Sequence, residues 1–268
     1  MSFINPFAAP LTADQLARID RAARHILQHI GMDVQHDGII ERLRAAGAGS
    51  GAAPHRVTMP PAWLDDMLAR APRRFTLCAR NGHPDLEMGS GNIYFSNGAR
   101  VFRILDTISG TSRTSTLLDV AHQAAMVENL SHLHIYMIAC QASDVPDQYY
   151  HLNDYFHALK NTGKHVMGGY GAENGLRHMW QVATAVAGSE AALRERPFVS
   201  VVTNPVSPLT LSHDAAAALD FCVQHGIPAT CAPAPIAGAT SPASMAGTLA
   251  QMHAEAMAGV AIAQALAP

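Results

Sequence analysis

Four short apolar segments in the second half of the chain constrain its fold more than any other feature. They are HIYMIA, KHVMGGY, FVSVVTNP and IPATCAPAP, which begin at residues 134, 164, 198 and 227. Each is continuously apolar, follows a helix-like stretch, and is followed by Gly, Pro, Asn or Asp. This pattern is typical of parallel strands that are covered on both faces. The segments therefore predict parallel strands joined by helices.

The spacing of these strands favours a barrel. Their starts are 30, 34 and 29 residues apart, and eight such units would need roughly 250 residues, the usual size of a (β/α)8 barrel. We predict an α/β fold in which residues 118–268 hold the first half of a TIM-type barrel, about four β/α units. A half-barrel would leave two sheet edges unpaired. A small open α/β sheet of four parallel strands is the alternative.

Residues 1–117 are predicted to form an N-terminal cap that begins with helices. The 3.6-residue period marks residues 12 to 31, where Thr12 or Asp14 can cap the helix and Gly31 ends it. Shorter helices are predicted from Asp37 to Ala46 and from Pro61 to Ala71, and the stretch AGAGSGAAPH between them is predicted as a loop from its composition.

The rest of the cap is predicted to be antiparallel. From Phe75 to Leu117 the hydrophobic period changes to two. The segments FTLCAR, LEMGSGNIYF, VFRILD and TSRTST are separated by turn residues. They predict hairpins of an antiparallel sheet.

Composition excludes several classes of function. A net charge of −3 and a pI near 6.6, without any Lys/Arg run, argue against binding to nucleic acid or to an anionic membrane. The chain has no apolar run of about 18 residues and no signal-peptide pattern at its start. Its four cysteines are scattered without CxxC spacing, which predicts a reducing cytoplasm, no disulfide framework and no metal site.

Longer motifs run through the whole chain. The opening LTADQLARIDRAARHILQHIGMDVQHDGIIERLRAAGA and the segment PRRFTLCARNGHPDLEMGSGNIYFSNGA are followed by QASDVP, LRERPFVSVVTNPVSPLTLSHD and APAPIAGATSPASMAGTLAQMHAEAMAGVAIAQ. Within them, NPVSPL and P-x-AGAT-x-P are the most distinctive. Together these segments resemble the trimethylamine methyltransferase family, the MttB-type proteins, in its leading helix pair, its sheet, and its barrel strands with their loops. The family's barrel would continue well beyond residue 268.

The resemblance implies methyl transfer from a methylated amine to the cobalt of a partner corrinoid protein, as in methanogenesis. The amine would be trimethylamine, on which founding members use pyrrolysine, or a quaternary amine such as glycine betaine. The pyrrolysine position lies in the back half of the family's barrel. The corrinoid (cobalamin) would be carried by a corrinoid-binding partner protein and not bound tightly by this chain. We also expect a homo-oligomer.

Candidate substrate-binding residues follow from the predicted strand ends. TIM-type barrels place their chemistry at the C-terminal ends of the strands. A methylammonium cation is best held there by aromatic faces and by carboxylate or amide oxygens. The candidates of these types are Gln141, Asp144, Tyr170, Glu173 and Asn204. No catalytic residue is predicted.

Small residues near the same strand ends are assigned to the corrinoid. The resemblance implies that a bulky corrinoid approaches the barrel mouth closely, for which Gly168, Gly169, Gly238 and Thr240 would leave room. A bulky residue in place of Gly238 should then block methyl transfer without affecting amine binding. A phosphate site in GGYGAENG is the alternative, although this stretch lacks the GxGxxG order.

Two other functional classes are considered. The first is a catalytically inactive, truncated half-barrel that self-associates through its open sheet edges. The second is a metal-dependent hydrolase, which would bind zinc or manganese. His132 and His134 have the HxH spacing of such enzymes, but they precede the first parallel strand and are therefore expected at its N-terminal end.

Overall fold

The structure is a computed structural model that describes residues 11–98, 100–171 and 174–267. The helices are α1 (Ala13–His29), α2 (Asp37–Ala45), α3 (Pro61–Arg70), α4 (Leu117–Glu128), α5 (Tyr150–Asn161), α6 (Gly175–Ala187), α7 (Glu190–Glu195), α8 (His213–His225) and α9 (Met245–Leu266). The strands are β1 (Met32–Val34), β2 (Gly49–Ser50), β3 (Arg56–Thr58), β4 (Phe75–Leu77), β5 (Leu86–Met88), β6 (Arg103–Leu105), β7 (Ser112–Thr114), β8 (Ile135–Met137), β9 (His165–Gly168), β10 (Val199–Val202), β11 (Thr210–Leu211) and β12 (Ala229–Thr230).

The described residues form two compact units. The first unit holds residues 11–71, Asn204–Ala216 and Cys231–Ala267, and the second holds Pro72–Thr203 and Ala217–Thr230. Each unit is therefore built from more than one segment of the chain. The domain boundary between residues 1–117 and 118–268 stays a prediction.

The first unit begins with the predicted capped helix. The Thr12 side chain accepts a hydrogen bond from the Gln15 N–H, and the Gln15 side chain accepts one from the Thr12 N–H. This reciprocal arrangement is a capping box, and it confirms Thr12 as the cap. Gly31 follows α1 with a φ of 72°, and an added Cβ would overlap the Val57 carbonyl oxygen. Only glycine fits this close approach of two backbone segments.

The sheet of the first unit has the strand order β11-β1-β3-β2. Strand β11 runs parallel to β1, and the other pairs are antiparallel. The stretch AGAGSGAAPH contains β2, so its prediction as a loop is wrong in part. These strands are two or three residues long, which leaves too little periodicity to predict them from the sequence. Helix α9 packs against α1, α2 and α3.

The second unit contains the predicted parallel sheet. Its strands are hydrogen-bonded in the order β8-β9-β10-β12, and all the pairs are parallel. Each strand falls within one of the four apolar segments, so the prediction of parallel strands is confirmed. Consecutive strands are neighbours and are connected through helices. The fold is therefore mixed α/β with a parallel sheet, while the TIM-type half-barrel stays a prediction. The buried core of the second unit includes Tyr136, Tyr155, Val166 and Met179.

Antiparallel pairs form the rest of the second unit's strands. Strand β4 pairs with β5 and β6 pairs with β7, which confirms the predicted hairpins. They form two separate two-stranded sheets rather than one sheet. The predicted strand LEMGSGNIYF is a strand only over Leu86–Met88. The prediction of a hairpin strand is wrong for the second half of this segment, NIYF, because the chain there runs beside the parallel sheet.

Ser96, Asn97 and Val101 cover the outer edge of β8. Parallel bridges join Ser96 and Val101 to β8 and to its continuation. Between them, Asn97 Nδ2 donates to the Met137 carbonyl at 2.7 Å, and Asn97 Oδ1 accepts from the Met137 N–H at 2.8 Å. The expectation that both sheet edges would be unpaired is therefore wrong at β8. Among the described residues, β12 is the edge strand on the other side.

Candidate functional site

The candidate functional site lies at the carboxyl ends of β8 and β9 in the second unit. It consists of Arg100, Gln141, Tyr150, His151 and Asp154, which we call the Asp154 cluster. Gln141 follows β8, and the last three residues lie on the first turns of α5. The buried face of α5 repeats at positions 151, 154, 155, 158 and 159, the spacing of a helix packed on a core. Two of these five core-facing positions are polar.

Asp154 has no exposed surface and an incomplete set of hydrogen bonds. Its Oδ2 accepts from Arg100 Nη2 at 3.1 Å, whereas its Oδ1 has no hydrogen-bond partner among the described residues. Burial raises the pKa of the Asp154 carboxyl to about 7, against the opposing effect of the Arg100 guanidinium. A buried polar atom without a partner is costly to folding. Such atoms in a folded protein are candidates for ligand contact.

Arg100 links Asp154 to the strand end. Its Nη1 lies 3.5 Å from Gln141 Oε1, and its guanidinium carbon lies 5.4 Å from the centroid of the Tyr150 ring. Arg100 is partly exposed, with 22% of its side chain accessible. The guanidinium therefore lies between solvent-accessible space and the buried carboxylate.

His151 is the second buried group with unmade hydrogen bonds. Neither of its ring nitrogens has a partner among the described residues. Burial, together with the smaller effects of the Arg100 and His178 charges, lowers the pKa of His151 to about 3. The imidazole is therefore neutral at physiological pH, with one donor and one acceptor nitrogen. The cluster thus combines a carboxyl, a neutral imidazole and a guanidinium.

The glycine-rich loop after β9 is shaped by side chains of α5. An added Cβ at Gly168 would overlap the Tyr155 hydroxyl, and one at Gly171 would overlap the His151 ring. Gly171 also has a φ of 62°. Gly169 differs, because an added Cβ there meets no atom within 4 Å and its backbone needs no left-handed conformation. Packing explains glycine at 168 and 171 but not at 169.

The structure brings some of the predicted site residues together in the second unit. Gln141 is half-buried in the Asp154 cluster, and the half-buried Tyr170 packs against the core. Asp144 is exposed, and its Oδ1 accepts from the Leu117 N–H at 2.9 Å at the start of α4. This contact caps a helix. Glu173 lies outside the described residues.

The remaining predicted residues belong to the first unit. Asn204 and Gly238 are exposed, and Gly238 has a φ of 79°. Thr240 Oγ1 accepts from the Ile236 N–H at 2.8 Å within a tight turn. A substitution at Gly238 would strain the backbone, so this position is a poor one for testing corrinoid approach. The assignments of all the predicted site residues stay predictions.

A buried carboxylate in the first unit connects the two distinctive sequence motifs. Glu255, on α9, accepts from the Leu209 N–H at 2.8 Å and from the Ser207 hydroxyl at 2.7 Å, both in the NPVSPL motif. It also accepts from Gln251 Nε2, which donates in turn to the carbonyl oxygen of Thr240 in the AGAT motif. Both Glu255 oxygens are satisfied. Sequence reasoning missed this residue, although Gln251 and Glu255 stand one helical turn apart in a helix of mostly apolar residues.

Sequence reasoning also missed Arg100, Tyr150, His151 and Asp154. For His151 and Asp154 a signal was present, because they share a helical stripe with Tyr155 and Ala158. Charged residues on a core-facing stripe are rare unless they are paired or functional. Arg100 gave no such signal because its partner lies 54 residues further along the chain.

Neither a metal-ion cluster nor a membrane-spanning helix is present in the described part of the chain. Within residues 11–98, 100–171 and 174–267, no three or more His, Cys, Asp or Glu side chains are grouped to hold a metal ion. His134 Nδ1 accepts from the Phe95 N–H at 3.1 Å beside the N-terminal end of β8. The same ranges contain no helix long and apolar enough to cross a bilayer.

The fold and the site define a mixed α/β protein that carries a buried polar cluster at the ends of its parallel strands. The family model of trimethylamine methyltransferase (MTTB) matches residues 3–268. The chain therefore belongs to the trimethylamine methyltransferase family, and the resemblance of its motifs is confirmed.

Curated relatives carry two kinds of name. The chain is 29% identical over 259 residues to a glycine betaine methyltransferase of Desulfitobacterium hafniense (strain Y51), covering 96% of this chain and 53% of the relative. It is 25% identical to the trimethylamine methyltransferase MttB of Desulfitobacterium hafniense (strain DSM 10664 / DCB-2) and to that of Methanosarcina thermophila, covering 52% and 54% of these proteins and 96% of this chain in each case. The chain spans about half the length of the curated relatives it matches.

Proposed function

We propose that the chain forms part of a methyltransferase that moves a methyl group from a methylated amine to the cobalt of a corrinoid protein. The observation that carries this proposal is the family match across residues 3–268. Relatives named for trimethylamine and for glycine betaine support a tertiary or quaternary amine as the methyl donor. The proposed class is a methylamine:corrinoid protein methyltransferase.

The proposed architecture is the first half of a TIM-type barrel behind an N-terminal cap. The order β8-β9-β10-β12 supports it, because each strand pairs with the next strand of the parallel set and helices connect them. Strands of a (β/α)8 barrel follow one another in this way. An open sheet of four strands is the competing architecture.

We propose that the amine binds at the Asp154 cluster. Asp154 Oδ1 is a buried acceptor without a partner among the described residues, and the Tyr150 ring already faces a cation, the Arg100 guanidinium. A carboxylate and an aromatic face are what a methylated ammonium group requires. Because Asp154 is fully buried, an amine reaches it only when the Arg100 and Tyr150 side chains move. Gln141 and Tyr170, which follow the carboxyl ends of β8 and β9, remain proposed contacts.

The corrinoid is proposed to remain on a partner protein, where it supplies the nucleophilic cobalt. Gly169 is the position of this chain that fits the approach of such a bulky group, because its missing side chain is explained neither by packing nor by φ. Gly168 is explained by Tyr155 instead. The reducing cytoplasm is proposed as the location, and it is compatible with the absence of a disulfide bond among Cys78, Cys140, Cys222 and Cys231.

Amine binding can be measured on the chain itself. Titration calorimetry with glycine betaine and with trimethylammonium should show binding that strengthens as the pH rises through about 7, because burial raises the pKa of Asp154 to about that value and the ionised form attracts the cation. Asp154→Asn should weaken binding at least about tenfold and remove this pH dependence. Asp66→Asn, an exposed change on α3, is the control.

Methyl transfer needs the corrinoid partner. The chain, the reduced corrinoid protein and the amine would be combined, and the demethylated amine measured by NMR. Demethylation that depends on Asp154 supports the proposal. The same assay would be repeated with the chain joined to any downstream part of its reading frame. If the amine still binds but is not demethylated, the methyltransferase assignment is wrong, whereas the proposed binding site stands.

The inactive half-barrel remains the second candidate function. The observation that favours it is the edge strand β12, which is short and exposed, since unpaired strand edges promote pairing with other chains. A chain that binds no amine and associates through β12 would support this candidate. A proline at Ala229 would then prevent the association, because proline cannot donate a ladder hydrogen bond.

A further inference from the structure

The β6–β7 hairpin and the chain around it expose an unusual amount of apolar surface. Between positions 93 and 118, seven large apolar residues are at least 45% exposed. We call these residues the hairpin surface: Ile93, Phe95, Val101, Phe102, Leu105, Ile108 and Leu118. Exposed apolar residues that stand singly need no explanation, but a concentration of them marks an interaction surface.

The tip of the hairpin presents one apolar side chain, Ile108, on a hydrogen-bonded turn. Ile108 is 98% exposed, yet its turn is held by several hydrogen bonds. Asp106 Oδ1 accepts from the N–H groups of Ile108 at 3.0 Å and Ser109 at 2.9 Å, and the Asp106 N–H donates to the Thr111 carbonyl at 2.9 Å. The Ser109 and Thr111 hydroxyls are also hydrogen-bonded, at 2.8 Å. An apolar side chain presented on a pre-ordered turn loses little entropy on binding.

Charges near the tip are paired within the hairpin region. Arg113 Nε lies 3.2 Å from Asp106 Oδ2, and its two terminal nitrogens donate to the two carboxylate oxygens of Asp119 at 2.7 and 2.8 Å. The tip therefore does not require an oppositely charged partner. This favours a partner surface that is as apolar as the hairpin itself.

The available area matches what a dimer needs. The seven residues are on average about two-thirds exposed, which gives on the order of 800 Å² if one large side chain offers roughly 180 Å². A stable interface buries about 800 Å² on each partner. The exposed area of these side chains is thus comparable to what one partner contributes to a dimer interface.

We propose that the hairpin surface is the interface between two copies of this chain, with Ile108 and Leu105 as its central anchors. Among the described residues, β6 and β7 pair only with each other. A two-stranded antiparallel ribbon is only marginally stable by itself, and a two-fold axis allows it to pack against its own copy. The proposal concerns a surface separate from the Asp154 cluster and does not depend on methyl transfer.

Oligomeric state is the direct test. The purified chain should be dimeric in sedimentation or light-scattering measurements, and Ile108→Asp or Leu105→Asp should raise the dimer dissociation constant at least about tenfold, because each buries a charge in an apolar contact. Leu16→Asp is the matched control, since Leu16 is also exposed and lies in the first turn of α1, where an acidic residue is well tolerated. Circular dichroism would verify that each variant is folded.

Hydrogen exchange would locate the interface. Amides of residues 101–114 should become more protected as the chain concentration rises, and this change should disappear in Ile108→Asp. The proposal would be overturned if the chain stayed monomeric over the whole concentration range of the sedimentation measurements. An oligomer that tolerates both hairpin variants, or one that is disrupted only by a change in β12, would overturn it as well.

Discussion

The two units each bury one acidic side chain completely, and the two carboxylates are treated very differently. Glu255 accepts hydrogen bonds at both oxygens, from the Leu209 backbone, the Ser207 hydroxyl and the Gln251 amide. Asp154 has one partner at one oxygen and none that the structure describes at the other. The first carboxylate organises two loops, whereas the second retains an unused acceptor.

This difference distinguishes a structural role for Glu255 from the amine-binding role proposed for Asp154. A buried carboxyl group whose hydrogen bonds are all made is costly to remove, because its removal leaves the former partners unsatisfied. A buried charge with an unmade bond reduces stability unless a ligand completes it. A change at Glu255 should therefore mainly lower folding stability, whereas a change at Asp154 should mainly weaken amine binding.

The largest effect is expected at Glu255. Glu255→Ala should lower the free energy of unfolding by about 4 kcal/mol, because the Leu209 N–H and the Gln251 amide lose a buried acceptor. Urea denaturation measures this change. Glu255→Gln, which keeps an acceptor oxygen, should lose less. If Glu255→Ala cost no more than an exposed substitution, the assigned structural role would be wrong.

An intermediate effect is expected in the pH dependence of stability. The pKa of Asp154 is raised from 3.8 to about 7, so its contribution to folding stability falls as the pH rises through that interval. The pKa of His151 is lowered from 6.5 to about 3, so its contribution falls as the pH drops through that interval. Between about pH 4 and 6.5 the two effects oppose each other.

Single variants should separate these two opposing slopes. Asp154→Asn should leave stability that increases with pH, and His151→Gln should leave stability that decreases with pH, each by on the order of 2 kcal/mol across the window. Thermal unfolding at a series of pH values measures both. Two variants with the same slope as the unmodified chain would show that neither group titrates as its burial requires.

The smallest effect is expected in the glycine-rich loop. Gly168→Ala should lower the free energy of unfolding by about 1–2 kcal/mol, because the new methyl group displaces the Tyr155 hydroxyl. Gly169→Ala should change it by less than about 0.5 kcal/mol, because the added Cβ meets open space. Denaturation of both variants provides the measurement. Equal losses of stability would contradict the conclusion that packing requires glycine at position 168 but not at position 169.

Local patterns predicted what depends on short stretches of chain. The parallel strands, the Thr12-capped helix and the hairpin pairs β4–β5 and β6–β7 follow from periodicity and turn residues, and the structure bears them out. The prediction of a hairpin strand at NIYF fails because the chain there runs beside β8, where the Phe95 carbonyl accepts from the His134 N–H and Asn97 bonds through its side chain. Alternating hydrophobicity does not reveal that kind of contact.

The candidate site was less accessible to sequence reasoning. Gln141 can be proposed from the sequence because it follows a recognisable strand, whereas Asp154 and Arg100, which are 54 residues apart in the chain, meet only in the folded structure. Asp144 was selected by residue type, and the structure adds its contact with the first turn of α4. Residue type and position at a strand end are therefore insufficient to separate a capping carboxylate from a buried one.

The Asn97 contact makes the two edges of the parallel sheet unequal in their ability to pair with a further strand. With the β8 edge covered by Ser96, Asn97 and Val101, the exposed edge of the described sheet is at β12. Another strand would therefore be recruited at β12, whereas at β8 it would first have to displace the backbone bridges of Ser96 and Val101 and both hydrogen bonds of the Asn97 amide. The two edges of the parallel sheet therefore differ: the β8 edge is covered, whereas the β12 edge is open to another strand among the described residues.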